Sequence, residues 1–234
     1  MQSSQMLKNL EVVYDQQENS GNYVLKKEKG FNKSGSFVVR REITDSGEGS
    51  AKALEKSISF SRSGVLKNGL KLLRPEKSQY IVWFDKQKYS VISEVLPKEK
   101  SIVFKMQSPE RDWNGERKFK FPKSNGVFCY YFQLIECLAM TGYFNQLQKK
   151  RNLSAEINII WEGYPYIREQ YSGIPDEVFT SAVFEYDGKT EVGDYKFSLR
   201  FNNQIILYQI RKNFKYERVF WISEGMTTTV RSVK

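Results

Sequence analysis

The sequence predicts a mainly β protein, an antiparallel curled sheet or two half-barrels wrapped around one central buried helix at about residues 126–148. Three observations carry that prediction. Aromatic residues make up 15% of the chain, with 16 Phe, 14 Tyr and 4 Trp, and such side chains suit the half-buried face of a pleated sheet. Clusters of turn-forming residues recur at short intervals, at 19–22, 32–35, 45–49, 68–69 and 187–188, as a meander of antiparallel strands requires. Residues 126–148 break this rhythm, because apolar side chains there fall on nearly every side of a 3.6-residue period.

Residues 1–9 read as a loose leader, and the remaining 10–234 as a single β-rich domain. In its first strand set, residues 10–121, near-alternating runs occupy 37–43, 57–61, 80–85 and 88–92. The helix follows at 126–148, with Ser124 and Asn125 placed to cap its start, and Lys149, Lys150 and Arg151 beside its last carbonyls. The second strand set covers residues 153–232. Its clearest member runs from Tyr195 to Phe201, with four apolar side chains on one face and three polar ones on the other. Asn202-Asn203 comes next and Gln204 to Ile210 returns, which predicts a two-residue hairpin.

A net charge of +10, from 37 basic and 27 acidic residues, favours anionic partners such as nucleic acid, acidic lipid headgroups, lipopolysaccharide, acidic glycans or another anionic polymer. A solvated lysine-rich surface is the plain alternative. Histidine is absent, which removes the commonest general base and metal ligand together with every serine or cysteine triad that needs one. No phosphate-binding, dinucleotide, nucleophile-elbow or calcium-loop motif is present. A non-catalytic protein without a metal or cofactor is therefore expected. Cys129 and Cys137 are the two cysteines. On a helix their Cα atoms would stand about 12 Å apart at ~1.5 Å per residue, beyond disulfide reach, so cysteine usage leaves the compartment open.

The N-terminal residues Met1 to Lys8 lack the apolar run of a signal peptide, which fits a cytoplasmic protein or an exported one whose signal has been removed. The apolar stretch from Val127 to Phe144 contains Gln133, Glu136, Thr141 and Gly142. It reads as a buried helix rather than a transmembrane segment.

Three constellations could do chemistry. Trp161, Glu162, Tyr164 and Tyr166 gather aromatic faces around a carboxylate, as a ligand site for a sugar or flat molecule would, although an aromatic strand end packed into the core gives the same pattern. Basic residues alternate with aromatics around Arg111, Arg117, Lys118 and Lys120, and again around Arg211, Lys212, Lys215 and Arg218. Together these suit an anion-binding groove, but no nucleic-acid-binding signature accompanies them and nucleic acid is an unexpected partner. Glu136 is the one charge inside the apolar segment. If unpaired, burial would raise its pKa and make it a candidate acid; paired with a Lys, Arg or Tyr, it would be structural.

The stretches Gly64 to Pro75, Phe84-Asp85, Asn125 to Gln133 and Val219 to Ser223 give the chain a layout that resembles the bacterial envelope proteins of domain of unknown function 3108. The resemblance spans about two thirds of the chain. It implies a barrel-like or half-barrel antiparallel structure in a periplasmic or otherwise exported protein, with a binding or assembly role and no catalytic residue. The expected function is that of an envelope protein contacting a lipid, a glycan or another protein, and the alternative is a cytoplasmic binder of nucleic acid or another anionic macromolecule.

Overall fold

The computed structural model describes residues 6–46, 53–65, 69, 71–124, 126–147, 153–211 and 217–234. Eight long strands come first: β1 (Met6–Glu18), β2 (Gly21–Asn32), β3 (Ser36–Asp45), β4 (Ala53–Val65), β5 (Lys71–Phe84), β6 (Gln87–Leu96), β7 (Ser101–Gln107) and β8 (Gly115–Lys120). After β9 (Val127–Tyr130) and the short helix α1 (Leu134–Met140) come β10 (Ser154–Ile160), a single helical turn α2 (Ile167–Gln170), and β11 (Phe179–Lys189). The chain finishes with β12 (Tyr195–Phe201), β13 (Gln204–Ile210), β14 (Glu217–Trp221) and β15 (Met226–Val233).

All fifteen strands form one curled, unclosed sheet, in the order β8-β7-β6-β5-β4-β3-β2-β1-β15-β14-β13-β12-β11-β10-β9. Neighbours are antiparallel except β9 and β10, which run parallel and so need a crossover. That crossover contains α1. The two strand sets are sewn together where β1 pairs with β15, from Val12 opposite Val233 to Gln17 opposite Thr227. The predicted β class and curled sheet are thus present, as is the Asn202-Asn203 hairpin: Phe201 faces Gln204 across it, and Asn202 takes a left-handed φ of 46°.

The long central helix is not. Residues 127–130 are strand, 131–133 a 3-10 turn, 134–140 helix and 143–146 a second 3-10 turn. Val127, Phe128, Cys129 and Tyr130 pair with Ile157 to Ile160, so the aromatic run follows its preference for a sheet. Gly126 sets up that pairing, since a Cβ there would stand 2.7 Å from Asn158 Nδ2 and 3.1 Å from the Glu156 carbonyl. At the other end Gly142, with φ of 78°, breaks the helix as a left-handed residue does. Gln133, not Ser124, stands at the N-cap of α1; Ser124 instead accepts hydrogen bonds from the Gly126 N–H and Asn158 Nδ2. Asn125 and the basic residues 149–151 lie outside the described residues.

Because Cys129 is on a strand and Cys137 on the helix packed against it, their Cα atoms are 6.0 Å apart and the two form a disulfide. The separation expected on a continuous helix is overturned with the helix itself. Two smaller expectations also change. β1 starts at Met6, inside the stretch read as a leader, and Asp187-Gly188 is a bulge within β11, where the register with β12 shifts between Tyr186 and Gly188. The turn lies just beyond, closed by the Thr190 N–H donating to the Asp194 carbonyl at 2.8 Å.

Candidate functional site

The segment from Trp161 to Val178 leaves the end of β10 and folds into the concavity of the sheet. Trp161, Glu162 and Tyr166 are completely buried and Tyr164 nearly so. Trp161 donates its indole N–H to Thr180 Oγ1 at 2.9 Å and lies 4.7 Å from the Tyr131 ring. Tyr166 stacks on Trp113 at 6.0 Å and donates its hydroxyl to the Trp113 carbonyl at 2.5 Å. Tyr164 reaches Asp176 at 3.2 Å. Gly163 lets the segment sit this deep, because a Cβ would stand 2.8 Å from Ile167 Cβ and 2.9 Å from the Tyr80 ring. These four residues are a plug in the core: Trp161 packs on Tyr131 and Phe201, Tyr164 on Phe104 and Phe119, and Tyr166 on Tyr89 and Trp113, rather than facing solvent.

Glu162 is the most unusual group of that plug. Its carboxylate receives the Ser59 hydroxyl at 2.9 Å and the Phe132 N–H at 3.2 Å. Gln133 alongside donates to the Ser59 carbonyl at 2.7 Å and accepts from the Ser61 hydroxyl. Burial outweighs the hydrogen bonds, and the carboxyl is pushed up to about 7. A second carboxylate, Glu55, takes the Arg41 guanidinium at 3.1 Å and the Tyr80 hydroxyl at 3.2 Å, and burial raises it too in spite of Arg41. Arg41 in turn lies 3.9 Å over the Phe132 ring.

Glu136 behaves in the opposite way. Burial favours its neutral form, but Lys27 at 3.6 Å and Lys29 at 2.8 Å outweigh burial and bring the carboxyl down to about 2. It is the structural, paired residue of the two alternatives, and not a raised acid. Lys27 also pairs with Glu217 on β14. This network borders a cavity of about 70 Å³ between β1, β2, β14, β15 and the start of α1, with Tyr14, Gln16, Lys27 and Glu217 among its polar lining residues. Sequence reading missed Lys27, Lys29, Arg41, Glu55 and Glu217. For the two lysines a signal existed: they share strand parity with buried Leu25, so whichever face of β2 takes Leu25 inward takes them as well.

The two basic patches stay apart in the sheet. Arg111 lies in the 3-10 turn before β8, and Arg117, Lys118 and Lys120 lie on β8 at one edge. Arg211 follows the end of β13 and Arg218 lies on β14, with β7 through β1 and β15 intervening in strand order between them and β8; Lys212 and Lys215 fall outside the described residues. Lys118 pairs with Glu99, and Arg211 is 3.7 Å from Asp194. Among the described residues no cluster of three or more Cys, Asp or Glu is disposed to hold a metal, and no helix is long and apolar enough to cross a membrane, which says nothing of strands.

No family model matches the chain, and no curated protein does. Among solved structures it is similar to a crystal structure of a β-barrel-like protein of domain of unknown function 1849 from Brucella abortus, with 98% of each chain covered, a TM-score of 0.51 and 8% identity. That likeness extends over the whole curled sheet and is a likeness of fold. It supports the barrel-like antiparallel architecture that the family resemblance implies.

Proposed function

We propose that this is a non-catalytic binding or structural protein of the cell envelope, periplasmic or otherwise exported, and that it contacts a lipid, glycan or protein partner. The Cys129–Cys137 disulfide carries the reading. Disulfides persist in exported, oxidising compartments and are rare where thiol reductants circulate. The resemblance to domain of unknown function 3108 implies the same location, and that finer family assignment is part of this proposal. A non-catalytic role is supported by the surroundings of Glu162. This carboxyl has the raised pKa of a general acid, but it is completely buried and its hydrogen bonds tie β4 to the 3-10 turn that leads into α1.

The test is to trap thiols with N-ethylmaleimide as the protein is recovered from its source cells, then measure its intact mass. An envelope protein carries no maleimide before reduction and two after it. Two adducts before reduction would place the chain in a reducing compartment, overturn this reading and favour the cytoplasmic binder of an anionic macromolecule.

A further inference from the structure

Strands β2 to β8 are consecutive neighbours in the sheet, and their hairpin ends form two opposite rims. At one rim the strand registers bring basic side chains to a common level. Lys33 stands in the turn between β2 and β3, and just after it Ser36 is opposite Arg62, which is opposite Arg74. Lys71 opens β5 at the tip of the same hairpin. Lys98 and Lys100 lie in the turn after β6, where Leu96 is opposite Ser101 and Ser101 opposite Lys120. Lys118 and Lys123 flank Lys120, and all nine bases are exposed. Among the described residues only Arg62 and Lys118 of these pair with acids, Glu76 and Glu99, which leaves seven unmatched. Adjacent strands lie ~4.8 Å apart, so this surplus spreads over an arc of about 30 Å. The opposite rim has the reverse sign. Glu18, Asp45, Asp85 and Glu110 there are set against Lys86, Lys88 and Arg111. The plug, which meets that rim at Trp113, adds Glu169, Asp176 and Glu177 against Arg168.

The basic rim also holds a concavity. Between the turn after β6 and the chain leaving β8, Pro97, Lys100, Phe121, Pro122, Lys123 and Ser124 line an open cleft of about 370 Å³. No acid lines it. The Ser124 oxygen already accepts from the Gly126 N–H and from Asn158 Nδ2, so its proton is left to donate. Every polar side chain of the cleft is thus a donor, two of them charged, and the rest of the wall is hydrocarbon. An anion carried on an apolar body satisfies both parts, as an acidic lipid headgroup does. Nucleic acid is a poorer match, because stacking needs open rings and Phe31, Phe119 and Phe121 are packed on other rings. The exposed apolar side chain of this rim is aliphatic, Val65 at the end of β4, 60% exposed. We propose that the basic rim docks on an anionic lipid bilayer, with one headgroup phosphate seated in the cleft against Lys100, Lys123 and Ser124. This rests on the lipid option of the reading above, and the two fail separately: a thiol-free chain that ignores vesicles keeps its envelope location and loses only this surface.

The experiment is flotation of the full chain with vesicles of phosphatidylcholine alone and of phosphatidylcholine mixed with phosphatidylglycerol, at low and at physiological salt, with heparin and a single-stranded oligonucleotide as competitors. Binding to the mixed vesicles alone is expected, and it should weaken as salt screens the charges. Each base near an anionic surface is worth about fivefold in affinity. Lys33→Gln with Lys71→Gln, on the rim outside the cleft, should therefore weaken binding about 25-fold. Lys100→Gln with Lys123→Gln removes the same charge and the headgroup contact as well, and should exceed that loss. Lys86→Gln with Lys88→Gln takes the same charge from the acidic rim and should change affinity less than about twofold. All three pairs should keep the parent's thermal midpoint, since these side chains are exposed. Binding to phosphatidylcholine alone, equal losses in the three pairs, or tighter binding of heparin or the oligonucleotide than of the mixed vesicles would overturn the proposal.

Discussion

Strands β4 to β6 turn serines inward where strands β11 to β14 turn aromatics. On the first side Ser57, Ser59, Ser61, Ser78 and Ser93 are buried; on the second Phe184, Phe197, Phe201, Tyr208 and Trp221 are. The second group packs ring against ring, with Phe184 and Phe197 stacked at 5.0 Å between centroids and Phe201 and Trp221 edge to face at 6.2 Å. The first group leaves room for the plug from the other half, since Gln133 and Glu162 reach across to Ser59 and Ser61. One half supplies bulk and the other supplies sockets with hydrogen bonds, so substitutions on the two sides should differ in size and in sensitivity to pH.

The largest effect belongs to the bulk. Trp161→Ala removes a fully buried indole from the middle of the plug, and urea unfolding should show a loss of about 3–5 kcal/mol, the usual scale for truncating a buried large aromatic. A loss below ~1 kcal/mol would mean that the plug is not seated in the sheet, and the contrast between the halves would vanish.

The two unlike carboxylates give the next effect. Glu162 is pushed up to about 7 from the ordinary 4.5. Its raised pKa therefore adds stability that is fully present below about pH 4.5 and is lost as pH rises through 7, by about 3 kcal/mol at ~1.4 kcal/mol per unit. Glu136, lowered to about 2, contributes stability above about pH 4.5 that is lost as pH falls through 2. Between pH 5 and 8 only Glu162 of this pair changes its contribution. Unfolding midpoints measured across that window should fall with pH in the parent chain and lose most of that slope in Glu162→Gln. An unchanged slope in the variant would assign it to another group.

Somewhat smaller is the disulfide, which fastens β9 to α1. Closing so short a loop is worth about 2.5 kcal/mol in the loop-entropy picture, and Cys129→Ser with Cys137→Ser should cost that much in urea. A cost near zero would show that the pairing of β9 with β10 holds the plug without a covalent tie.

How much of this was legible depends on which signal each region carries. Alternation marks strands with one wet face, and Tyr195 to Phe201 was readable for that reason, as was the hairpin after it. The stretch from Val127 to Tyr130 has no alternation because it is apolar throughout, packed against the barrel interior and paired in parallel with β10. A run of this kind reads equally as buried helix, and the disulfide was hidden by the same ambiguity. At the plug, sequence supplied the members but not the direction they face: Trp161, Tyr164 and Tyr166 are core, and their carboxylate neighbour gains its unusual pKa from burial, which no local pattern encodes. The ion network was harder still, for Lys27 and Glu217 meet across 190 positions of sequence.

The smallest effect tests the socket side directly. Ser78 and Ser93 hydroxyls lie 2.6 Å apart, and Ser93 is 3.3 Å from the Tyr130 hydroxyl, so this short chain joins β5 and β6 to β9. Ser93→Ala and Tyr130→Phe should each cost about 1 kcal/mol, and the double variant should cost less than their sum by ~0.5–1 kcal/mol, because the second change removes a partner already orphaned by the first. The same cycle on Phe184 and Phe197 should also show coupling, but with much larger single costs, because each truncation there leaves a cavity rather than an unpaired hydroxyl. Strict additivity at Ser93 and Tyr130 would mean that the serines act only by being small. Replacing Ser57 with Ala, which stays small and loses only the hydroxyl, would then leave stability unchanged.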